Sequence, residues 1–212
     1  VDLASEQGMR TLQRLVRDAH VVVENFRAGT MERFGLGYED LRAINPDLVY
    51  CAISGYDRGG PEASRPGYDL VVQGESGLMS VNGEAGRPPL KFGVSVVALF
   101  TGMYAAQAVL AALYQRQGGG RGRRIDLALY DCGLMVSSYW GLEALLTSEE
   151  PQRWGNAHPS IVPYGVFEAA DGPVVVAVGT SGQFRSLCER ALGRPDLAAD
   201  ARFGSNFDRA RN

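Results

Sequence analysis

Two short stretches combine residue types that can handle an anionic ligand. Asn25, Arg27 and Arg33 surround a loop that follows the β-branched run Val21-Val22-Val23. Guanidinium groups bind phosphate and carboxylate in a bidentate way, and open α/β sheets bind ligands at the carboxyl ends of their strands, so this loop predicts an anion site. Asp69 follows Pro66-Gly67-Tyr68 at the start of a helical pattern, where a carboxylate suits the helix dipole and equally suits a role in chemistry. Other candidates reduce to structure. The run Gly118-Gly119-Gly120-Arg121-Gly122 lacks the Lys-Ser/Thr of a nucleotide loop and ends a helix instead of opening one. It reads as a helix-to-strand turn. Asp126 and Asp131 stand at a strand start and a helix start and read as capping groups. His20 and His158 have no carboxylate at ligand spacing, so no metal site is expected. Ser54 lacks the flanking glycines of a nucleophile elbow.

Periodicity gives the elements that must position these groups. Leu3, Met9, Leu12, Leu15 and Val16 repeat at helical spacing. His20 to Val23 and Leu48 to Ile53 read as buried strands, separated by helical patterns at Thr30 to Phe34 and Tyr38 to Ile44. Asn45-Pro46 stops the second helix. Strand, helix and strand at this rhythm predict a parallel sheet with crossover helices, hence an α/β fold. Tyr68 to Met79 reads as one helix, Val94 to Gln115 as a long alanine-rich helix, Ile125 to Leu129 as a strand and Tyr130 to Leu146 as a further helix. Pro, Ser, His and Asn cluster between Thr147 and Pro163, which predicts a domain boundary there. Beyond it come a valine-rich strand, Pro173 to Gly179, an amphipathic helix, Ser181 to Leu192, and a polar stretch with no closing element.

The 212 residues carry a formal net charge of −3, which gives no field to draw the chain to nucleic acid or an anionic membrane. Lys91 is the only lysine, so arginine supplies nearly all the positive charge. The three cysteines are scattered and odd in number, which fits neither a disulfide framework nor a zinc site and predicts a reduced, cytoplasmic setting. No continuous run of about eighteen apolar residues is present, so no membrane span is expected. The chain opens in a helical pattern without an initiating methionine, which predicts a piece of a longer protein. The residues alone lead to a soluble α/β protein with a phosphate-bearing ligand.

Several stretches resemble the family III coenzyme A transferases, a group that includes formyl-CoA transferase, carnitine CoA-transferase and α-methylacyl-CoA racemase. They are Val22-Val23-Glu24-Asn25-Phe26-Arg27-Ala28-Gly29, Leu36-Gly37-Tyr38 through Asn45-Pro46-Asp47-Leu48-Val49-Tyr50, Arg65-Pro66-Gly67-Tyr68-Asp69, Gly120-Arg121-Gly122-Arg123-Arg124-Ile125-Asp126 and Gly155-Asn156-Ala157-His158-Pro159-Ser160. Their order and spacing carry the resemblance, which runs from residue 1 to residue 212. It implies a Rossmann-like CoA-binding large domain over residues 1–147 lacking its N-terminal part, a linker over 148–163, and the start of a small α+β domain over 164–212. It also implies an interlocked homodimer, with no covalently bound cofactor and with CoA, acyl-CoA and carboxylic acids as substrates.

In that family a carboxylate attacks the acyl-CoA thioester, and CoA passes through an enzyme-bound thioester to an acceptor acid. The resemblance places CoA contacts at Asn25, Phe26, Arg27, Arg33 and Arg65, and puts Asp69 near the thioester. The nucleophilic aspartate of the family falls on Ala98, nine residues past Pro88-Pro89, and alanine cannot be a nucleophile. The residues around Ala98 keep the active pattern, which favours an introduced replacement over a drifted, inactive CoA-binding paralogue. The racemase branch has histidine where this chain has Tyr68, and a phenol is a poor acid/base for proton exchange. The formyl-CoA branch has a glycine-rich lid that Asn156 to Ser160 lack. The resemblance therefore points to a succinyl-CoA-type donor.

Overall fold

A computed structural model describes residues 1–212, which form two compact units, residues 1–81 with 89–151 and residues 82–88 with 152–212. In the first unit, α1 (Glu6–Val16) is capped by Ser5, whose Oγ accepts the Gly8 N–H at 3.0 Å. Such a cap contributes ~1 kcal/mol. β1 (Val21–Glu24), α2 (Thr30–Arg33), α3 (Tyr38–Ile44) and β2 (Val49–Ser54) follow as the sequence predicts. Asn45 does more than stop α3. Its side-chain amide donates to the Val16 and Ala19 carbonyls at 2.9 Å each, closing the end of α1.

The predicted helix from Tyr68 to Met79 is two pieces, α4 (Asp69–Glu75) and α5 (Leu78–Val81), because Gly77 takes a φ of +81° between them. Then come α6 (Val96–Gln117), β3 (Arg124–Ala128) and α7 (Leu129–Thr147). α7 breaks at Ser138, whose φ of 49° and ψ of −125° are not helical. The strands pair in parallel, in the order β1-β2-β3, with Glu24, Ala52 and Asp126 in one row.

Thr101, Gly102 and Gln107 interrupt α6, so a search for an unbroken apolar run misses one of its properties. By length and composition alone the 22-residue helix could cross a membrane. Here it packs on β2 and β3 and against α4 and α7. Val16, Met31, Leu36, Leu41, Leu48, Tyr50 and Ala52 form a core on β1 and β2, and Val72, Leu78 and Val97 form a second. One backbone approach shapes the carboxyl end of the sheet. Gly55 and Gly67 lie so close that a Cβ on either would overlap the other's Cα.

The second unit holds the antiparallel hairpin β4 (Tyr164–Ala169) and β5 (Gly172–Ala177). α8 (Ser181–Ser186) continues as a π-helical turn over Leu187–Ala191. The polar tail is not unstructured, since it forms α9 (Pro195–Ala199), a 3-10 turn at Ala201–Phe203 and α10 (Asn206–Arg209). The buried Arg209 ties it down, donating to the Val162 and Phe203 carbonyls at 2.8 and 3.1 Å and lying over the Phe184 ring.

Candidate active site at the carboxyl edge of the sheet

The first unit holds a cavity of about 360 Å³ at the carboxyl ends of its strands. The loop Asn25–Ala28 after β1 forms one wall, and Ser54, the last residue of β2, and Gly55 form the floor with Leu129 after β3. Arg65 to Tyr68 close another side, and the first two turns of α6 supply Ala98, Thr101 and Gly102. Parallel strands bring these distant segments together because every crossover returns to the same edge.

Five of the residues singled out from sequence, Asn25, Phe26, Arg27, Arg65 and Ala98, line this cavity. Arg27 is exposed and meets no carboxylate of the protein, leaving its guanidinium open to an anion. Arg65 is already engaged, with Glu75 at 2.5 Å, Glu62 at 3.0 Å and the Tyr56 ring 4.5 Å beneath it. Hydrogen bonds from Tyr56 and then Arg65 hold the Glu75 carboxyl below its ordinary range. Arg33 stands on α2, where it donates to Thr30 Oγ1 at 3.3 Å, and does not line the cavity. Ser54 is buried, and its hydroxyl donates to the Tyr56 carbonyl at 2.8 Å.

Asp69 opens α4, yet its carboxylate serves another helix. Oδ1 accepts the Ala98 N–H at 2.9 Å. That amide belongs to the first turn of α6, where N–H groups have no partner within the helix, and Ser95 at the N-cap makes no side-chain bond. Asp69 thus caps α6 across the fold. Its other oxygen accepts the Gln73 side-chain N–H at 2.5 Å, while Gln73 Oε1 accepts the Phe92 N–H at 2.9 Å. Gln73 is 1% exposed. This chain of bonds, Phe92–Gln73–Asp69–Ala98, fixes residue 98 at the cavity wall.

Sequence reasoning passed over Gln73, Glu24 and Arg58. A signal exists for the first two, since each is the polar member of an apolar run: Val71-Val72-Gln73 and Val22-Val23-Glu24. Arg58, in a polar loop, gives none. No group of three or more His, Cys, Asp or Glu side chains converges in a way that could hold a metal ion. The arrangement can hold an anion beside the positive end of α6, with residue 98 facing it.

A parallel sheet with its cavity at the carboxyl edge and a helix N-terminus beside it is an open α/β arrangement whose edge suits an anionic ligand. Comparison with known proteins narrows the class. The model of CoA-transferase family III matches residues 1–212. A succinate–glutarate CoA-transferase of Agrobacterium fabrum is 45% identical over 205 residues, 97% of this chain and 51% of that protein. The human succinyl-CoA:glutarate CoA-transferase is 37% identical, over 100% of this chain and 48% of its own length. The crystal structure of a CAIB/BAIF family protein from Brucella suis superposes with a TM-score of 0.86 at 43% identity, covering 100% of this chain and 56% of that one. The chain belongs to the family III CoA-transferases. It spans about half the length of the curated relatives it matches.

Proposed function

We propose that this chain carries the CoA-binding and nucleophile-bearing part of an enzyme that moves CoA from a dicarboxylyl-CoA, of the succinyl-CoA type, to a carboxylic acid. The observation that carries the reading is the placement of residue 98. It lies in the first turn of α6, on the wall of the cavity that Arg27 borders, with its amide held by Asp69. A carboxylate at this position meets the positive end of a 22-residue helix, which favours the ionised form that attacks a thioester. Attack forms a mixed anhydride and frees CoA thiolate. The thiolate then attacks the aspartyl carbonyl, releasing the donor acid and leaving an aspartyl-CoA thioester. The acceptor carboxylate reverses both steps. With Ala98 the route has no nucleophile, and this chain binds the donor without turning it over.

The names of the relatives support a dicarboxylate donor, since succinate, glutarate and mesaconate recur among them. An interlocked homodimer is part of the proposal. Exposed Leu99, Met103 and Leu110 on α6, with Met135, Leu142 and Leu145 on α7, support it as a face that a second chain covers.

Ala98→Asp tests the reading. Incubated with succinyl-CoA, the variant gains a CoA adduct on the peptide that contains residue 98, and glutarate discharges it; the alanine form shows neither. Equal turnover by both forms refutes the assignment of residue 98. Turnover by neither form, across several dicarboxylyl-CoA donors, refutes the donor class.

A further inference from the structure

The cavity loop Asn25–Ala28 is held from beneath by an ion pair that the catalytic scheme does not use. Glu24 ends β1 with its side chain 2% exposed, and Arg58, from the loop after β2, is 7% exposed. Arg58 Nη2 meets Glu24 Oε1 at 2.5 Å. Both partners also reach the backbone of the same residue. Glu24 Oε2 accepts the Phe26 N–H at 2.8 Å, and Arg58 Nη2 donates to the Phe26 carbonyl at 3.4 Å. One buried pair thus grips the N–H and the C=O of the residue at the centre of the loop.

The pair has features of a built device. Burial pushes the Glu24 carboxyl up, against the pull of the Phe26 amide and Arg58, so the site is costly to keep charged. Arg58 Nε is buried without a hydrogen-bond partner and faces Asp126 Oδ1 at 3.8 Å. Asp126 is itself held by Arg124 at 2.8 Å. A buried pair is a weak source of net stability compared with apolar residues of the same volume. Its distinctive output is geometric, because two charged groups hold the N–H and the C=O of one residue, and so the two peptide units on either side of it.

We infer that Glu24 and Arg58 are positioning residues that hold the Asn25–Ala28 loop, through the Phe26 backbone, in the shape that binds CoA. The inference rests on the CoA reading of the cavity. Neither side chain lines the cavity, so both act through Asn25, Phe26 and Arg27. A loop that must be ordered on binding costs affinity, and a preformed one does not.

Calorimetric titration with CoA tests this, because binding needs no nucleophile. Unfolded protein lowers the measured stoichiometry, whereas a misplaced loop raises Kd. Arg58→Met leaves the buried Glu24 unpaired and Glu24→Met leaves Arg58 only its longer contact with Asp126, so both bind CoA ~10-fold more weakly and melt at a lower temperature. The double variant leaves neither partner unpaired. It regains melting temperature yet stays ~10-fold weaker in Kd, a split that a merely structural pair does not give. Glu24→Gln keeps an oxygen for the Phe26 N–H and recovers part of the affinity. A double variant that binds CoA like the unchanged protein overturns the inference alone. An unchanged protein that binds no CoA overturns the CoA reading, and the inference with it.

Discussion

Replacing Gln73 by methionine removes two hydrogen bonds at almost constant volume. Gln73 is 1% exposed, so water cannot take over at the side chain itself. Its bond to the Asp69 carboxylate, at 2.5 Å, is charge-assisted and contributes ~2 kcal/mol. Its bond from the Phe92 N–H, at 2.9 Å, leaves a partly buried donor behind, at a cost of ~1 kcal/mol. The apolar thioether returns ~1 kcal/mol by burial, leaving a net loss of ~2 kcal/mol. Urea unfolding measures it, and with a slope of ~2 kcal/mol/M the midpoint falls by about 1 M. Hydrogen exchange reads the local consequence. Asp69 loses its anchor, so the Ala98 amide that it caps exchanges faster than its neighbours further along α6. A midpoint shift below ~0.3 M at unchanged slope, together with an unchanged Ala98 exchange rate, refutes the claim that Gln73 holds the first turn of α6.

Two other perturbations test the frame around the site. Ser138→Gly relieves the φ of 49° and ψ of −125° inside α7 and stabilises the protein by ~1 kcal/mol in the same urea assay, whereas a loss of stability shows that the kink is not strained. Glu75, held below its ordinary 4.5 by Tyr56 and then Arg65, contributes stability that is present above that value and is lost as pH falls through the depressed one. Melting temperature followed from about pH 6 down to about pH 3 therefore declines less steeply in Glu75→Gln than in the unchanged protein; parallel curves refute the assignment.

The parallel sheet, its crossovers and the loop after β1 were legible because they rest on local signals. β-branched runs, Asn45-Pro46 and the alanine-rich stretch each speak within a few residues. What escaped depends on partners distant in sequence. Asp69 was legible as a helix-start carboxylate, but its service to α6 needs residue 98, and Gln73 matters only because Phe92 lies against it. Arg58 looks like solvated loop charge until Glu24 is seen beneath it. The break between α4 and α5 turns on one glycine, Gly77, that a helical pattern tolerates on paper. The helices of the polar tail are too short for periodicity to reveal.

The touching backbones of Gly55 and Gly67 limit how this cavity can diversify. Any side chain added at either residue would prise the end of β2 away from the segment that leads into α4. That wall therefore tolerates no substitution, and a change in what the cavity admits must come through Phe26, Ala63, Tyr68 or Thr101, whose side chains vary without parting two strands of backbone. A library built to alter what the cavity admits gains nothing from randomising the two glycines and loses folded protein wherever it does.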